Sequence, residues 1–322
     1  MDKRFRLWVQ AGWTALTNGY ASGFLEGKIY KGASKVLCVP GLNCYSCPGA
    51  LASCPIGSLQ AVMGSAGFQF SCYVFGFLMV FGSLMGRFIC GWLCPFGLVQ
   101  DLLYKIPLFK KRKNLPGHRI LKNVKYMVFL LFVILLPITV VNVVGMGQPW
   151  FCQYICPSGT LFGGFPLLAR NESLRSAIGW LFGWKTFILA AVVFCSVKIY
   201  RPFCQYLCPL GAFYGLFNPI SLYRYRVDEK ECVSCGLCRS ACPVNIKVWE
   251  NPNTAECIRC GQCKKACPTQ AIHTGFCLKA MGKSQGDAKA DGKLETPAMP
   301  EATSPASLTR EGPLTPVSAQ EN

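Results

Sequence analysis

The chain has 322 residues, of which 52% are hydrophobic and only 15% are charged. A soluble domain carries about a quarter charged residues, so this composition indicates a membrane protein. The formal net charge is +18, and the basic residues lie mainly between apolar segments and in the C-terminal cysteine-rich region. Membrane orientation explains that placement, and a nucleic-acid partner is not expected. The two histidines are too few for a bis-histidine haem relay.

Apolar segments are predicted to cross the membrane at about 8–25, 68–86, 126–144 and 178–197. Each is close to the ~20 residues that span a hydrocarbon core. The first segment is rich in Gly, Thr, Asn and Ser, so an interfacial helix is the alternative there. Pro137 is expected to distort the third segment.

The loop between the second and third segments is strongly basic, and short basic loops stay in the cytoplasm. This orientation predicts a multi-pass protein of the cytoplasmic membrane, with the N-terminus and the C-terminal cysteine-rich region in the cytoplasm. Residues 279–322 have no periodic apolar pattern and are predicted to be disordered. The loop residues that fix the orientation are Lys105, Lys110, Lys111, Arg112, Lys113, Arg119, Lys122 and Lys125.

A short Cys-Pro-x-Gly unit recurs four times, once after each apolar segment. Three of the units have a second cysteine four positions earlier. Proline suits the first turn of a helix, so a short or re-entrant helix is expected after each unit, with its free N–H groups directed at an anionic sulfur site. The units are CPIGSLQ at Cys54, CPFGLVQ at Cys94, CPSGTLF at Cys156 and CPLGAFY at Cys208, and the earlier cysteines are Cys90, Cys152 and Cys204.

The alternating topology places the units on two faces of the membrane, and a [4Fe–4S] cluster takes four thiolates. The alternative is that these cysteines are small buried hydrophobic residues. The predicted ligands of the inner-face cluster are Cys90, Cys94, Cys204 and Cys208. The predicted ligands of the outer-face cluster are Cys54, Cys152 and Cys156 with either Cys47 or Cys44, and Cys38 is a weaker alternative.

The C-terminal third contains CVSCGLCRSACP at 232–243 and CIRCGQCKKACP at 257–268. This is the bacterial two-cluster ferredoxin pattern, in which the fourth cysteine of each run serves the other cluster. Zinc also binds C-x-x-C pairs, but eight cysteines in two such runs favour clusters. The predicted ligands are Cys232, Cys235, Cys238 and Cys267 for one cluster, and Cys257, Cys260, Cys263 and Cys242 for the other.

The stretches GRFICGWLCPFG and RPFCQYLCPLG, with the two ferredoxin runs, resemble the membrane-bound polyferredoxins typified by NapH and the C-terminal part of NosR. The resemblance covers roughly 68–275. It implies an electron-transfer component, often between the quinone pool or cytoplasmic donors and a reductase outside. The additional outer units NCYSCPGALASCP and FCQYICP depart from the family pattern, which argues against a set of clusters confined to the cytoplasmic side.

The predicted fold class is an α-helical membrane protein with about four transmembrane helices in residues 1–222, followed by an α+β two-cluster ferredoxin domain in residues 223–278. We expect about four [4Fe–4S] clusters that carry electrons between cytoplasmic donors and an extracytoplasmic acceptor. No catalytic residue is predicted, so the chain is expected to be a component of an oxidoreductase system. A quinol- or quinone-linked subunit, and a redox sensor or metalloenzyme assembly factor, are the alternatives. The expected partners are redox proteins on both sides, membrane lipid and, as a further candidate, quinone.

Overall fold

The computed structural model describes residues 3–65, 72–142, 146–176 and 178–276. The predicted tail at 279–322 lies outside the described residues. Helices alternate with short loops up to residue 217, and two strands and two short helices follow. The longer helices are Lys3–Thr17, Ala21–Glu26, Pro55–Met63, Cys72–Met85, Phe88–Trp92, Pro95–Lys105, His118–Thr139, 157–170, Trp180–Lys198, Pro202–Tyr206 and Pro209–Phe217. Shorter turns of helix lie at Ala33–Val36, Phe151–Ile155 and Glu172–Ser176.

Two helices of the described residues, His118–Thr139 and Trp180–Lys198, are long and apolar enough to cross a membrane. They correspond to the third and fourth predicted segments. The second predicted segment contains the 14-residue helix Cys72–Met85, and residues 66–71 before it lie outside the described part of the chain. The first predicted segment is divided between Lys3–Thr17 and Ala21–Glu26. The expectation of about four transmembrane helices is therefore not confirmed.

The helix Lys3–Thr17 turns its polar side towards the rest of the protein. Arg6 and Gln10 are buried, whereas Trp8 is 77% exposed. The Arg6 guanidinium donates to the Asp101 carboxylate at 2.8 Å and to the Tyr200 hydroxyl at 3.1 Å. Arg6, just before the predicted first segment, thus pairs with the protein, and Gln10 within that segment is buried.

The helix His118–Thr139 is π-helical from Phe129 to Leu135, directly before Pro137. Proline has no N–H, and its ring clashes with the carbonyl four residues earlier. A wider π-helical turn changes the hydrogen-bonding pattern at that point. The distortion expected at Pro137 is therefore present as a π-helical segment.

A helix begins at the proline of every Cys-Pro-x-Gly unit, at Pro55, Pro95, Pro157 and Pro209. The preceding cysteine has an extended backbone in each case and occupies the N-cap position. The missing N–H of proline costs nothing in a first turn, where that group has no partner in the helix. The short helices that the repeat predicts are thus present, and each starts at a candidate ligand.

The C-terminal region forms a small α+β unit. Strand Tyr223–Val227 pairs antiparallel with strand Ile272–Phe276, in the register Tyr223↔Phe276 and Val227↔Ile272. Each cysteine run lies between these strands and contains one five-residue helix, Leu237–Ala241 or Gln262–Ala266. The strand pair closes the unit at its two ends and so brings the two runs together.

Candidate iron–sulfur sites

The distal ferredoxin site consists of Cys232, Cys235, Cys238 and Cys267, which line one small cavity. Three of these cysteines come from the first run and the fourth from the second. Cys235 is exposed, so this site lies at the surface of the protein. The structure brings together the four residues that the crossover pattern predicts, and their ligation of a cluster stays a prediction.

The proximal ferredoxin site consists of Cys242, Cys257, Cys260 and Cys263, which line a second cavity. Burial raises the pKa of the Cys257 thiol to about 12, and the nearby Cys260 and Cys242 thiolates act in the same direction. Here the fourth cysteine, Cys242, comes from the first run. The exchange of cysteines between the runs is therefore reciprocal, as the ferredoxin pattern predicts.

The same backbone turn shapes both runs. Ser234 and Arg259 directly precede the second cysteine of each run, and their φ angles are 50° and 53°. Gly236 and Gly261 follow that cysteine with φ angles of 72° and 78°. Two left-handed residues around a cysteine curl the chain tightly, which lets closely spaced thiols face one space.

The inner site consists of Cys90, Cys94, Cys204 and Cys208, all of which are buried. Burial raises the pKa of the Cys208 thiol well above its ordinary value, and the nearby Cys204 and Cys90 thiolates add to that effect. Cys94 is similarly affected by burial and then by Cys90. The second and fourth units therefore place their four sulfur atoms together, as the topology predicts.

Two arginines link the halves of the inner site reciprocally. Arg87 lies three residues before Cys90 and donates to the carbonyl oxygen of Cys204 at 2.8 Å. Arg201 lies three residues before Cys204 and donates to the carbonyl oxygen of Cys90. Each unit thus holds the first cysteine of the other, and the inner site has approximate two-fold symmetry.

The glycine of the Cys-Pro-x-Gly unit makes room for these arginines. A Cβ atom at Gly97 would lie 3.2 Å from Nη1 of Arg201, and one at Gly211 would lie 3.2 Å from Nη2 of Arg87. Contacts of this length are tighter than ordinary packing, so a larger residue would displace the guanidinium. The repeated glycine therefore has a packing role at the inner site.

Both arginines are buried, and each is paired with a carboxylate. Arg201 donates to Asp101 at 2.7 and 2.6 Å, and Asp101 also accepts from Arg6. Arg87 donates to Glu256 at 2.9 Å. The arginines lower the pKa of the Asp101 and Glu256 carboxyl groups despite their burial. Fixed cations beside the inner site suit an anionic cluster, and their counter-ions prevent an excess of buried charge.

The outer site consists of Cys44, Cys54, Cys152 and Cys156, which line a cavity of about 810 Å³. Burial raises the pKa of the Cys54 thiol to about 12, and the Cys156 and Cys44 thiolates act in the same direction. Cys47, the other candidate for the fourth position, is buried and does not line this cavity. The structure therefore brings together Cys44 and the three other predicted ligands.

The outer site repeats the pairing of the inner site. Gln60 follows Cys54 by six residues and donates to the sulfur of Cys152 at 3.3 Å. Gln100 follows Cys94 by six residues and donates to the sulfur of Cys204 at 3.2 Å. The first unit therefore pairs with the third unit in the manner in which the second pairs with the fourth.

The inner and outer sites lie close together in the structure. A Cβ atom at Gly41 would lie 3.2 Å from the Cα atom of Cys94, and Cys44 of the outer site is three residues further along the chain. Three residues span at most about 11 Å, so the ligand segments of the two sites approach each other closely.

The donor sets fit [4Fe–4S] clusters in number and chemistry. Each site gathers four cysteines from two separate segments, and a cluster takes one thiolate for each iron. Within 3–65, 72–142, 146–176 and 178–276, no three His, Cys, Asp or Glu side chains converge on a single metal-ion position. A [4Fe–4S] cluster binds one thiolate at each of its four irons, so its ligands lie further apart than the ligands of a single metal ion.

The remaining described cysteines lie apart from these sites. The sulfur of Cys38 is 3.6 Å from the Ser58 hydroxyl, and Cys38 does not line the outer cavity. Cys72 is exposed and Cys195 is half-buried. The weaker alternative of Cys38 as an outer ligand therefore receives no support from the cavity.

The motifs alone did not draw attention to Arg87, Arg201, Gln60 and Gln100. A signal was present in each case. GRFIC and RPFC share an arginine three residues before a cysteine, and only the first and second units end in glutamine. Comparing the four units position by position would have found both pairs.

Comparison with known families gives two matching profiles, one ending at residue 224 and the other beginning at residue 225. One family profile, described as a 4Fe-4S binding domain, matches residues 68–116, 127–175 and 177–224. A second profile with the same description matches residues 225–247 and 251–273. The first profile includes the second, third and fourth cysteine units, and the second includes both ferredoxin runs.

Relatives of this chain include an uncharacterized protein of Methanocaldococcus jannaschii, 31% identical over 54% of the chain and 65% of the relative. The ferredoxin-type protein NapH of Haemophilus influenzae is 27% identical, over 52% of the chain and 51% of its own length. The regulatory protein NosR of Stutzerimonas stutzeri is 29% identical, over 50% of the chain and 20% of its own length. The chain is thus similar to NapH and NosR and contains 4Fe-4S binding domains.

A further relative, YccM of Escherichia coli, is 27% identical over 53% of the chain and 45% of its own length, and it is described as a putative electron transport protein. The chain spans at most about two thirds of the length of the curated relatives it matches. The comparison with solved structures gave no significant match. The two matched profiles indicate several 4Fe-4S sites in this chain.

Proposed function

We propose that this chain conducts electrons through four [4Fe–4S] clusters held by the distal ferredoxin, proximal ferredoxin, inner and outer sites, in that order. Such clusters supply one-electron chemistry. The chain's own residues hold each cluster and fix the spacing between clusters. The observation that carries the proposal is that neighbouring sites are joined by direct contacts from the ferredoxin region to the outer cavity.

The first of these contacts joins the proximal ferredoxin site to the inner site. A Cβ atom at Gly91, between Cys90 and Cys94, would lie only 2.3 Å from the carbonyl oxygen of Ile258. The indole N–H of Trp92 donates to the carbonyl oxygen of Arg259 at 3.1 Å. Ile258 and Arg259 lie between two cysteines of the proximal site. The ligand loop of the proximal ferredoxin site therefore contacts the ligand loop of the inner site directly.

The second contact joins the inner site to the outer site. Tyr214 is completely buried, and its hydroxyl donates to the carbonyl oxygen of Pro40 at 3.1 Å. Burial raises the pKa of the Tyr214 hydroxyl, and the Cys90 and Cys54 thiolates add to the effect from the inner and outer sites. Together with the close approach of Gly41 to Cys94, this arrangement supplies a packed path between the two sites.

The surface of the long helices supports a location in a bilayer. Trp180 is 84% exposed and Phe187 is 66% exposed, and both lie on the helix Trp180–Lys198. Met127 and Leu130 are similarly exposed on His118–Thr139. Lipid would cover these side chains. We propose that the ferredoxin sites and the basic loop face the cytoplasm, and that electrons exchange with redox proteins there and outside.

A second candidate function, exchange of electrons with quinone, is favoured by the outer cavity. Its volume of about 810 Å³ lies in the range of small-molecule pockets, which is about 300–1,000 Å³. Lys185 lines it and donates to the carbonyl oxygen of Cys152 at 3.3 Å. Oxidation of the reduced clusters by added quinone would support this candidate, and unchanged cluster signals would exclude it.

The main proposal is tested in sealed vesicles that contain the full chain, purified and reconstituted without oxygen. A membrane-impermeant reductant outside should reduce ferricyanide trapped inside. Cys204→Ser removes an inner-site ligand and should abolish this transfer, whereas Cys195→Ser changes a cysteine outside all four sites and should leave it intact. Transfer by the wild-type chain no faster than in empty vesicles would refute the conduit. An iron content equal to two clusters would reduce the protein to an anchored ferredoxin.

A further inference from the structure

Two buried glutamines occupy equivalent positions at the inner and outer sites. Gln60 and Gln100 are both 0% exposed. Each lies on the helix that begins at the proline of its unit. Neither residue is a ligand, and each contacts one candidate ligand of the partner unit.

The Gln100 amide uses both of its N–H donors and accepts one hydrogen bond near Cys204. Its Nε2 donates to the Cys204 sulfur at 3.2 Å and to the Phe96 carbonyl oxygen at 3.4 Å. Its Oε1 accepts from the backbone N–H of Phe203 at 3.2 Å. Because a backbone N–H can only donate, the oxygen of the amide must face Phe203 and the NH₂ group must face the sulfur.

The Gln60 amide repeats each of these bonds at the outer site. Its Nε2 donates to the Cys152 sulfur at 3.3 Å and to the Ile56 carbonyl oxygen at 3.2 Å. Its Oε1 accepts from the backbone N–H of Phe151 at 3.0 Å. In both sites the sulfur belongs to the first cysteine of the partner unit, and the backbone donor directly precedes it. The duplication extends to every hydrogen bond of the side chain.

We propose that Gln100 and Gln60 are positioning residues that set the reduction potentials of the inner and outer clusters by donating one N–H to a ligand thiolate. This inference rests on the proposed function, since it requires clusters at both sites. A cluster that accepts an electron becomes more negative, and a hydrogen bond to its sulfur stabilises that charge. Each bond therefore raises the potential of its own cluster.

The duplication keeps the two potentials matched. When an electron passes from the inner to the outer cluster, the first is oxidised and the second is reduced by one electron. Equal hydrogen bonds on both clusters contribute equally to the two potentials, so they cancel from the driving force of that step. Loss of one bond alone would favour the electron on the unaltered cluster, and loss of both would restore the balance.

The experiment is a redox titration of the anaerobically purified full chain, followed by electron paramagnetic resonance. The signals are assigned with Cys204→Ser and Cys152→Ser. Gln100→Glu keeps the acceptor for the Phe203 N–H and removes the amide donor to the sulfur. We expect this change to lower the reduced-to-oxidised ratio of the inner cluster about tenfold at a fixed potential, which corresponds to about 59 mV for one electron. Gln60→Glu should act in the same way on the outer cluster alone.

Gln205→Glu is the matched control, because it introduces the same carboxylate at a buried glutamine beside Cys204 whose amide donates to the Tyr200 carbonyl oxygen and to no sulfur. The inner midpoint should fall further in Gln100→Glu than in Gln205→Glu, and equal falls would show that charge alone causes the change. Unchanged midpoints in Gln100→Glu and Gln60→Glu, with both signals present, would overturn the inference and leave the conduit standing. Absence of the inner and outer signals from the wild-type chain would instead overturn the proposed function.

A second measurement applies if a variant fails to retain its cluster. The wild-type chain is produced with glutamine carrying ¹⁵N in the side-chain amide, and pulsed resonance spectra are recorded on both signals. Nε2 lies 3.2 Å from Cys204 and 3.3 Å from Cys152, so a ¹⁵N coupling is expected on each cluster. A signal without that coupling would refute the hydrogen bond at that site.

Discussion

Glu256→Gln tests how the ferredoxin region is attached to the helical region. Glu256 directly precedes Cys257 and accepts from Arg87 at 2.9 Å and from Lys125 at 2.5 Å. The side chains of both cations are at most 1% exposed. The substitution removes their shared anion and leaves two buried positive charges. Breaking a buried ion pair from one side costs about 3–5 kcal/mol.

A matched control is available in the same region. Glu250→Gln makes the same chemical change in an exposed pair with Lys247, and such pairs contribute about 0–1 kcal/mol. At about 2–4 °C for each kcal/mol, the Glu256 variant should melt on the order of 10 °C below the wild type. The assay is thermal unfolding in detergent, with limited proteolysis between the two regions. Equal melting temperatures and cleavage rates for the two variants would show that this buried network does not hold the regions together.

Three further predictions follow from single contacts. Cys44→Ser should lower the iron content by about four atoms per chain, because a cluster contains four irons and Cys44 lines the outer cavity. Cys47→Ser should leave the iron content unchanged, because Cys47 does not line that cavity. Equal iron loss in both variants would contradict this assignment. Gly91→Ala places a Cβ 2.3 Å from the Ile258 carbonyl oxygen, an overpacking that costs about 1–3 kcal/mol and should slow reduction of the inner site by the ferredoxin sites in stopped-flow measurements. Gly76→Ala, with nothing within 4 Å, is its control and should leave the rate unchanged. Asp101→Asn leaves Arg201 and Arg6 without their carboxylate, so the inner cluster should be lost on heating before the ferredoxin clusters. Asp228→Asn, at an exposed position, is the control. Simultaneous loss of all cluster signals would argue against a local role of Asp101.

The sequence was informative wherever a short motif fixes the local backbone. Cysteine spacing predicted the two ferredoxin groupings, because three ligands of each group lie within seven residues of chain. The repeat also predicted helices that start at Pro95 and Pro209, since proline favours the first turn. In the same way, the pairing of the second unit with the fourth agrees with the positions of their cysteines in the structure.

The sequence was less informative where tertiary contacts decide the outcome. Hydropathy treats Arg6 as unfavourable in a membrane segment, but the structure buries it against Asp101 and Tyr200. The choice between Cys44 and Cys47 depends on how the loop before Cys54 folds, which no local pattern specifies. For the same reason the short distance between the inner and outer sites could not be read from the order of apolar segments.

The inward polar face of the N-terminal helix has a consequence for biogenesis. Arg6 emerges from the ribosome first, but its partners lie 95 and 194 positions later, at Asp101 and Tyr200. Until those residues are synthesised, the guanidinium lacks both of its partners. The first helix therefore reaches its final packing only after residue 200 has been made.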